Sequence, residues 1–341
     1  MRKKTNLSIL IIFLILLVIV SIVASMCLGA VRIPLSKTVA LISCLLTGGD
    51  LHELDLYSTY QIIWNLRLPR IILALVAGIG LSLSGTVMQA SVQNPMADPY
   101  IIGISAGATL GATFSIFIGA GVISSLSAFL GSAFACFTVL GLASKGGKAT
   151  PVKLILSGMV INALFTAFSN FIISISGDSD GIMTIKFWTM GSLARASWSN
   201  ILLPSLIVLL GFVFFLTQYR VLNLMLIGED AASTLGVNTP RFRVIYLLVI
   251  SAITGILVSS TGTIGFLGLA VPHVCRSLTG TDHRRLVPVA SLAGGVALIW
   301  MDAIARSMLS NAELPVGIFT ALLGTPVFVY ILIKRNYGFS S

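Results

Sequence analysis

Long apolar runs, separated by short joints rich in Gly, Pro and charge, dominate the chain. Residues 7–28 hold no charged side chain, and about 20 apolar residues carry a helix across a hydrocarbon core of about 30 Å. Similar runs recur, and their punctuation predicts ten spans. These lie near 7–28, 68–90, 99–118, 123–143, 152–175, 201–218, 244–260, 265–280, 286–309 and 315–333. The predicted fold class is all-α: a polytopic integral membrane helical bundle forming a single transmembrane domain over 1–341.

Composition strengthens that pattern. Hydrophobic residues make up 56% of the chain and charged residues 9%, against roughly 25% charged in soluble domains. A formal charge of +10 invites a nucleic-acid reading, but the basic residues lie thinly between apolar runs and form no stripe. Cys27, Cys44, Cys136 and Cys275 are scattered without a CxxC pair, so small apolar packing is expected of them rather than a disulfide frame.

The amino end, Met1-Arg-Lys-Lys before an apolar run, resembles a signal peptide. Its run is longer than a usual h-region, and Met26 before Cys27 argues against lipoprotein processing. An uncleaved first span with a cytoplasmic basic end is expected. Placing both termini inside puts fourteen of the 21 Lys and Arg on the cytoplasmic side, including Arg2, Lys3, Lys4 and Arg335. Span 2 then enters from outside and span 7 from inside, the opposed topology of inverted repeats.

Several motifs carry candidate chemistry. Gln89 to Pro99 contains Asn94, Pro95, Asp98 and Pro99; two prolines four apart should break the helix. A plain helix-ending turn fits this segment, and so does a break lining a translocation path. Gly103, Gly107 and Gly111 follow at four-residue spacing, which suits close helix packing.

Residues 228–243 form the longest predicted cytoplasmic loop. Glu229 and Asp230 suit a helix amino end, Ala231, Ala232 and Leu235 give it a small apolar face, and Gly236 caps it, with Arg241 beyond. Such a helix fits a groove on a soluble partner, or serves as a capped connector.

Arg67 and Arg70 stand at the outer mouth of span 2, and Arg306 follows Asp302 by four residues near the outer end of span 9. Snorkelling to headgroups and reception of acidic groups from a soluble partner both fit. Pro272-His273 with Cys275 lacks a suitably spaced further ligand, so no metal is expected. Gly146-Gly147-Lys148-Ala149 lacks the first Gly and the Ser/Thr of a phosphate loop, so ATP hydrolysis is not expected of this chain.

In order along 67–334, these motifs resemble the FecCD-type permease family. The resemblance rests on Arg67-Leu-Pro-Arg70, Asn94-Pro-Met-Ala-Asp98-Pro99, Gly103-Ile-Ser-Ala-Gly107, Trp188-Thr-Met-Gly191, Gly265-Phe-Leu-Gly268 through Pro272-His273, Asp282-His283-Arg284, Asp302 to Arg306 and Glu313-Leu-Pro315-Val-Gly317. It implies a type II ABC importer permease carrying ferric siderophores, haem or cobalamin across a bacterial plasma membrane. The partners implied are two ABC ATPase subunits that bind ATP-Mg, an extracytoplasmic binding protein, and a second permease subunit, identical or paralogous. This chain is expected to bind no cofactor. By the same resemblance, 228–243 is the coupling loop, and Arg67, Arg70 and Arg306 meet acidic residues of the binding protein. Alternating access follows as the expected mechanism. The rival class, an ion-gradient-driven secondary transporter, would need an ionisable relay within the spans, for which Asp302 is the single candidate.

Overall fold

The computed structural model describes residues 6–48, 56–119, 124–145, 147–176, 179–309 and 313–334. Arg2, Lys3, Lys4, Gly146 and Arg335 lie outside these described residues. Every regular element described is helical. The order is α1 Leu7–Cys27, α2 Leu35–Thr47 and α3 Tyr57–Tyr60, the last running through a π-helical turn Gln61–Arg67 into α4 Leu68–Ser91. A 3-10 turn Pro99–Ile102 precedes α5 Ile104–Phe117, α6 Ser124–Ser144, α7 Pro151–Ser176, α8 Ser179–Thr189 and α9 Trp198–Thr217. The chain continues with α10 Tyr219–Ile227, α11 Glu229–Thr234, α12 Thr239–Thr261, α13 Leu267–Thr279, α14 His283–Ala305 and α15 Val316–Lys334.

Each of the ten expected spans coincides with a helix, and among the described residues seven helices are long and apolar enough to cross a membrane. The expected spans at 99–118 and 265–280 are shorter than the pattern suggested. α5 has 14 residues and α13 has 13, about 20 Å each at 1.5 Å per residue. Local chemistry accounts for both. Pro95 and Pro99 deny the first segment its amide donors, and Gly103 turns into α5 at φ +77°, a conformation in which a Cβ is strained. Before α13, Phe266 itself adopts φ +66°.

Burial separates the centre from the rim. In α4, 78% of the apolar window is buried, against 11% in α1, so α4 is the central post and α1 lies at the rim. The post is gripped through glycines. A Cβ on Gly78 would lie 2.3 Å from the Gly294 carbonyl of α14, and one on Gly85 would lie 1.8 Å from the Gly268 carbonyl of α13. The expected packing stripe behaves likewise: a Cβ on Gly107 would meet Gly131 O at 2.3 Å, and one on Gly111 would meet Ser127 O at 2.0 Å, both in α6. Small residues at these crossings let backbones approach where lipid supplies no hydrophobic drive. All four cysteines are free thiols, three of them buried, as packing residues should be.

Candidate functional site

Hydrogen bonds gather many of the joints into clusters, one around α10 and α11 and another around Asp302. The predicted inner end is built around α10 and α11. Gly228 turns at φ +120° into α11, whose first turn carries Glu229 and Asp230, where carboxylates meet the positive end of the helix dipole. Gly236 adopts φ +79°. Its amide donates to Ser233 O at 2.9 Å, and that of Val237 to Ala232 O at 3.0 Å, the paired bonds of a Schellman cap. The anticipated apolar face divides in two. Ala232 is fully buried, Ala231 is half-buried, and Leu235 stands 64% exposed. Leu226 and Ile227 of α10 are exposed beside it. Arg241 is exposed, its backbone amide accepted by the Asn238 cap at 3.2 Å.

Arg243, not foreseen as a site residue, joins this hook to the bundle. Its guanidinium is buried and donates to Ser91 O at 2.8 Å, to Ala149 O at 2.9 Å and to Glu229 Oε2 at 3.2 Å. A second tie runs from Asn223 of α10 to α14: Asn223 donates to Asp282 Oδ1 at 2.8 Å and accepts from His283 N at 2.9 Å. Burial pushes the Asp282 carboxyl up, but the bonds from Asn223 and the Arg284 amide, with the Arg285 and His283 charges, leave it below its ordinary value.

The predicted break follows α4. Asn94 Oδ1 accepts from Met96 N at 2.9 Å, and Asp98 caps the 3-10 turn by accepting from Tyr100 N at 2.9 Å. Burial pushes the Asp98 carboxyl up to about 6 against that amide bond. Pro95 is exposed and Pro99 buried. This break meets the one before α13. Gln89 Nε2 donates to Gly268 O at 3.3 Å, Tyr100 Oη donates to Ile264 O at 3.2 Å, and a Cβ on Gly268 would touch Pro99 at 2.9 Å. Both half-length helices therefore start from one junction.

At the predicted outer end, Arg67, Arg70 and Arg306 are 6%, 7% and 4% exposed, and the partners seen for all three are internal. Arg67 donates to the carbonyls of Met26 and Val31. Arg70 Nε holds both oxygens of Asp302 at 2.9 and 3.1 Å, and its Nη1 reaches Glu313 Oε2 at 2.6 Å. Arg306 sits 3.6 Å from Asp302 Oδ2, the anticipated i,i+4 pair, and also bonds Ser25. Asp302 is fully buried, whereas the Glu313 side chain is 50% exposed. Glu313 also borders a cavity of about 820 Å³ with Phe129, Trp188, Arg195, Leu203 and Ile256.

One further feature escaped the sequence reading. Asn162, Thr166, Asn170 and Ser174 are exposed along one row of α7, a helix only 22% buried over its apolar window. Polar side chains at membrane depth face protein or water rather than lipid. Their four-residue spacing inside an apolar run was the available signal.

Known proteins share this architecture. The model of the FecCD transport family matches residues 16–334. The cobalamin import system permease protein of Halobacterium salinarum is 40% identical over 81% of this chain and 74% of its own length. The iron(3+)-hydroxamate import system permease protein FhuG of Bacillus subtilis is 36% identical over 98% of this chain and 100% of its own. An inward-facing structure of an ABC transporter described as metal-chelate type superposes with a TM-score of 0.83 and 31% identity, covering 95% of this chain and 99% of that one. Matched by the family model along nearly its whole length and built of apolar helices, this chain belongs to the FecCD transport family, as a multi-pass membrane permease of the ABC type.

Proposed function

We propose that this chain is the permease subunit of a binding-protein-dependent importer that moves ferric siderophores, haem or cobalamin, driven by ATP hydrolysed on separate ATPase chains. The observation that carries the reading is the α10–α11 hook: exposed Leu226, Ile227 and Leu235 on a capped turn anchored by buried Ala232. That is an apolar knob of the kind a groove on a soluble partner receives. ATP-Mg belongs to that partner, and this chain binds no cofactor. Two such ATPases serve a pair of permease subunits, identical or paralogous, apposed across the polar row of α7.

The path runs past that row and the break at Gln89, Asn94, Pro95, Asp98 and Pro99. The extracytoplasmic binding protein docks at the Arg67, Arg70 and Arg306 end, where half-exposed Glu313 is the carboxylate a partner's acid could exchange with. The membrane is the bacterial plasma membrane, with both termini inside, as the basic-residue bias supports. A secondary transporter is disfavoured because Asp302, its candidate relay, is held between Arg70 and Arg306. Replacing Ala232 or Gly236 with Asp should leave ATP hydrolysis running without uptake. Wild-type transport by both variants, read in vesicles with the cognate ATPase and binding protein, defeats the reading.

A further inference from the structure

The geometry points to Arg243 as the positioning residue that carries motion of the α10–α11 hook to the break after α4 and to the start of α7; this rests on the coupling role proposed for the hook. Three segments far apart in sequence meet on its guanidinium: Glu229 at the start of α11, Ser91 at the last turn of α4, and Ala149 two residues before α7. The side chain is about 1% exposed, so it has no conformation in water that would let one partner move while the others stay. Arg suits the task because its planar fork directs several donors at fixed angles.

Two of the partners are backbone carbonyls, so the bonds fix the main chain itself rather than a flexible side chain. The Ser91 carbonyl immediately precedes the 92–98 break. Close by, Gln93 Nε2 donates to Met225 O at 2.7 Å, tying the first residues of that break back to α10. The hook, the end of α4 and the α6–α7 joint therefore form one body, and a push on α11 displaces the break and the foot of α7 together. Glu229, with its side chain 34% exposed, is the member through which a docked partner reaches the fork.

The test uses the whole complex of permease, ATPase and binding protein in lipid vesicles. Nitroxide labels on Ser233 of α11 and Met96 of the break, both exposed, report their separation by pulsed EPR, without nucleotide and after trapping with ATP and vanadate. In the otherwise unaltered permease the mean distance holds within about 2 Å, the scale of rigid-body behaviour. A change of about 5 Å, one helical turn, overturns the proposal. In Arg243→Lys, which keeps the charge but loses the fork, the distance distribution broadens and shifts with nucleotide.

A second readout is uptake per ATP hydrolysed, with ferrichrome, haemin and cyanocobalamin as probes. Arg243→Lys and Glu229→Gln lower the ratio, Arg243→Lys by about tenfold, within the range of couplings transmitted through such contacts. A merely structural role would reduce the amount of assembled complex and leave that ratio unchanged, which also overturns the assignment. Failure of the unaltered permease to co-purify with its ATPase would instead defeat the coupling reading itself, and this inference with it.

Discussion

Both ends of the molecule bury arginine, and they do so in different ways. At the outer end, Arg70 and Arg306 close on Asp302, a carboxylate with no exposed surface, and Glu313 adds a second acid from the rim. At the inner end, Arg243 spreads one charge over two backbone carbonyls and a single half-exposed carboxylate. A buried carboxylate neutralises charge and cannot be withdrawn cheaply, because removing one partner leaves the others uncompensated. Carbonyl bonds neutralise little but locate the chain. The outer cluster is accordingly a clamp, while the inner fork is a linkage with one replaceable partner.

The largest expected effect comes from breaking the clamp. Asp302→Ala leaves buried Arg306 without its carboxylate and buried Arg70 with only half-exposed Glu313, at a cost of about 3–5 kcal/mol. The variant should fail to accumulate as a monodisperse membrane protein by fluorescence-detected size exclusion. Next comes the post that joins the two ends. Gly85→Ala drives a Cβ into the Gly268 carbonyl, a backbone clash costing about 1–3 kcal/mol. Gly141→Ala, which meets nothing within 4 Å, should stay within about 0.5 kcal/mol of wild type. Thermal unfolding in detergent separates the two. Among the charge replacements Glu313→Gln is mild, since Arg70 keeps Asp302: a loss of at most about 1 kcal/mol, as for a solvent-screened pair. Glu229→Gln should be as mild in the same melt. A large melting shift from Glu313→Gln would show that the outer rim shares the clamp's burden.

Much of this frame was legible in the sequence, because a span announces itself by apolar length alone. The shorter helices were not: α2, α8 and α10 mix polar and apolar residues over 13, 11 and 9 positions, too few to stand out as runs. Pro95 and Pro99 announced the break after α4, but the matching one before α13 turns on Phe266 at φ +66°, which nothing in a phenylalanine side chain foretells. Local pairs were readable, as with Asp302 and Arg306 one turn apart, and so was the Gly236 cap. What stayed hidden depends on contacts distant in sequence: Arg70 with Asp302, Gly78 with Gly294, and Arg243 with Ser91 and Ala149. The small-residue stripe of α5 could be read for its role but not for its partner, α6.

The proposed function is movement of iron chelates or cobalamin by this permease with ATP hydrolysed on another chain. The direct measurement is uptake of radiolabelled ferrichrome, haemin and cyanocobalamin into vesicles carrying the permease with its ATPase, with binding protein supplied outside and ATP enclosed. Accumulation of at least one probe that requires the enclosed ATP and is indifferent to a protonophore is the predicted result. Uptake that continues without ATP and collapses when the protonophore is added would contradict it.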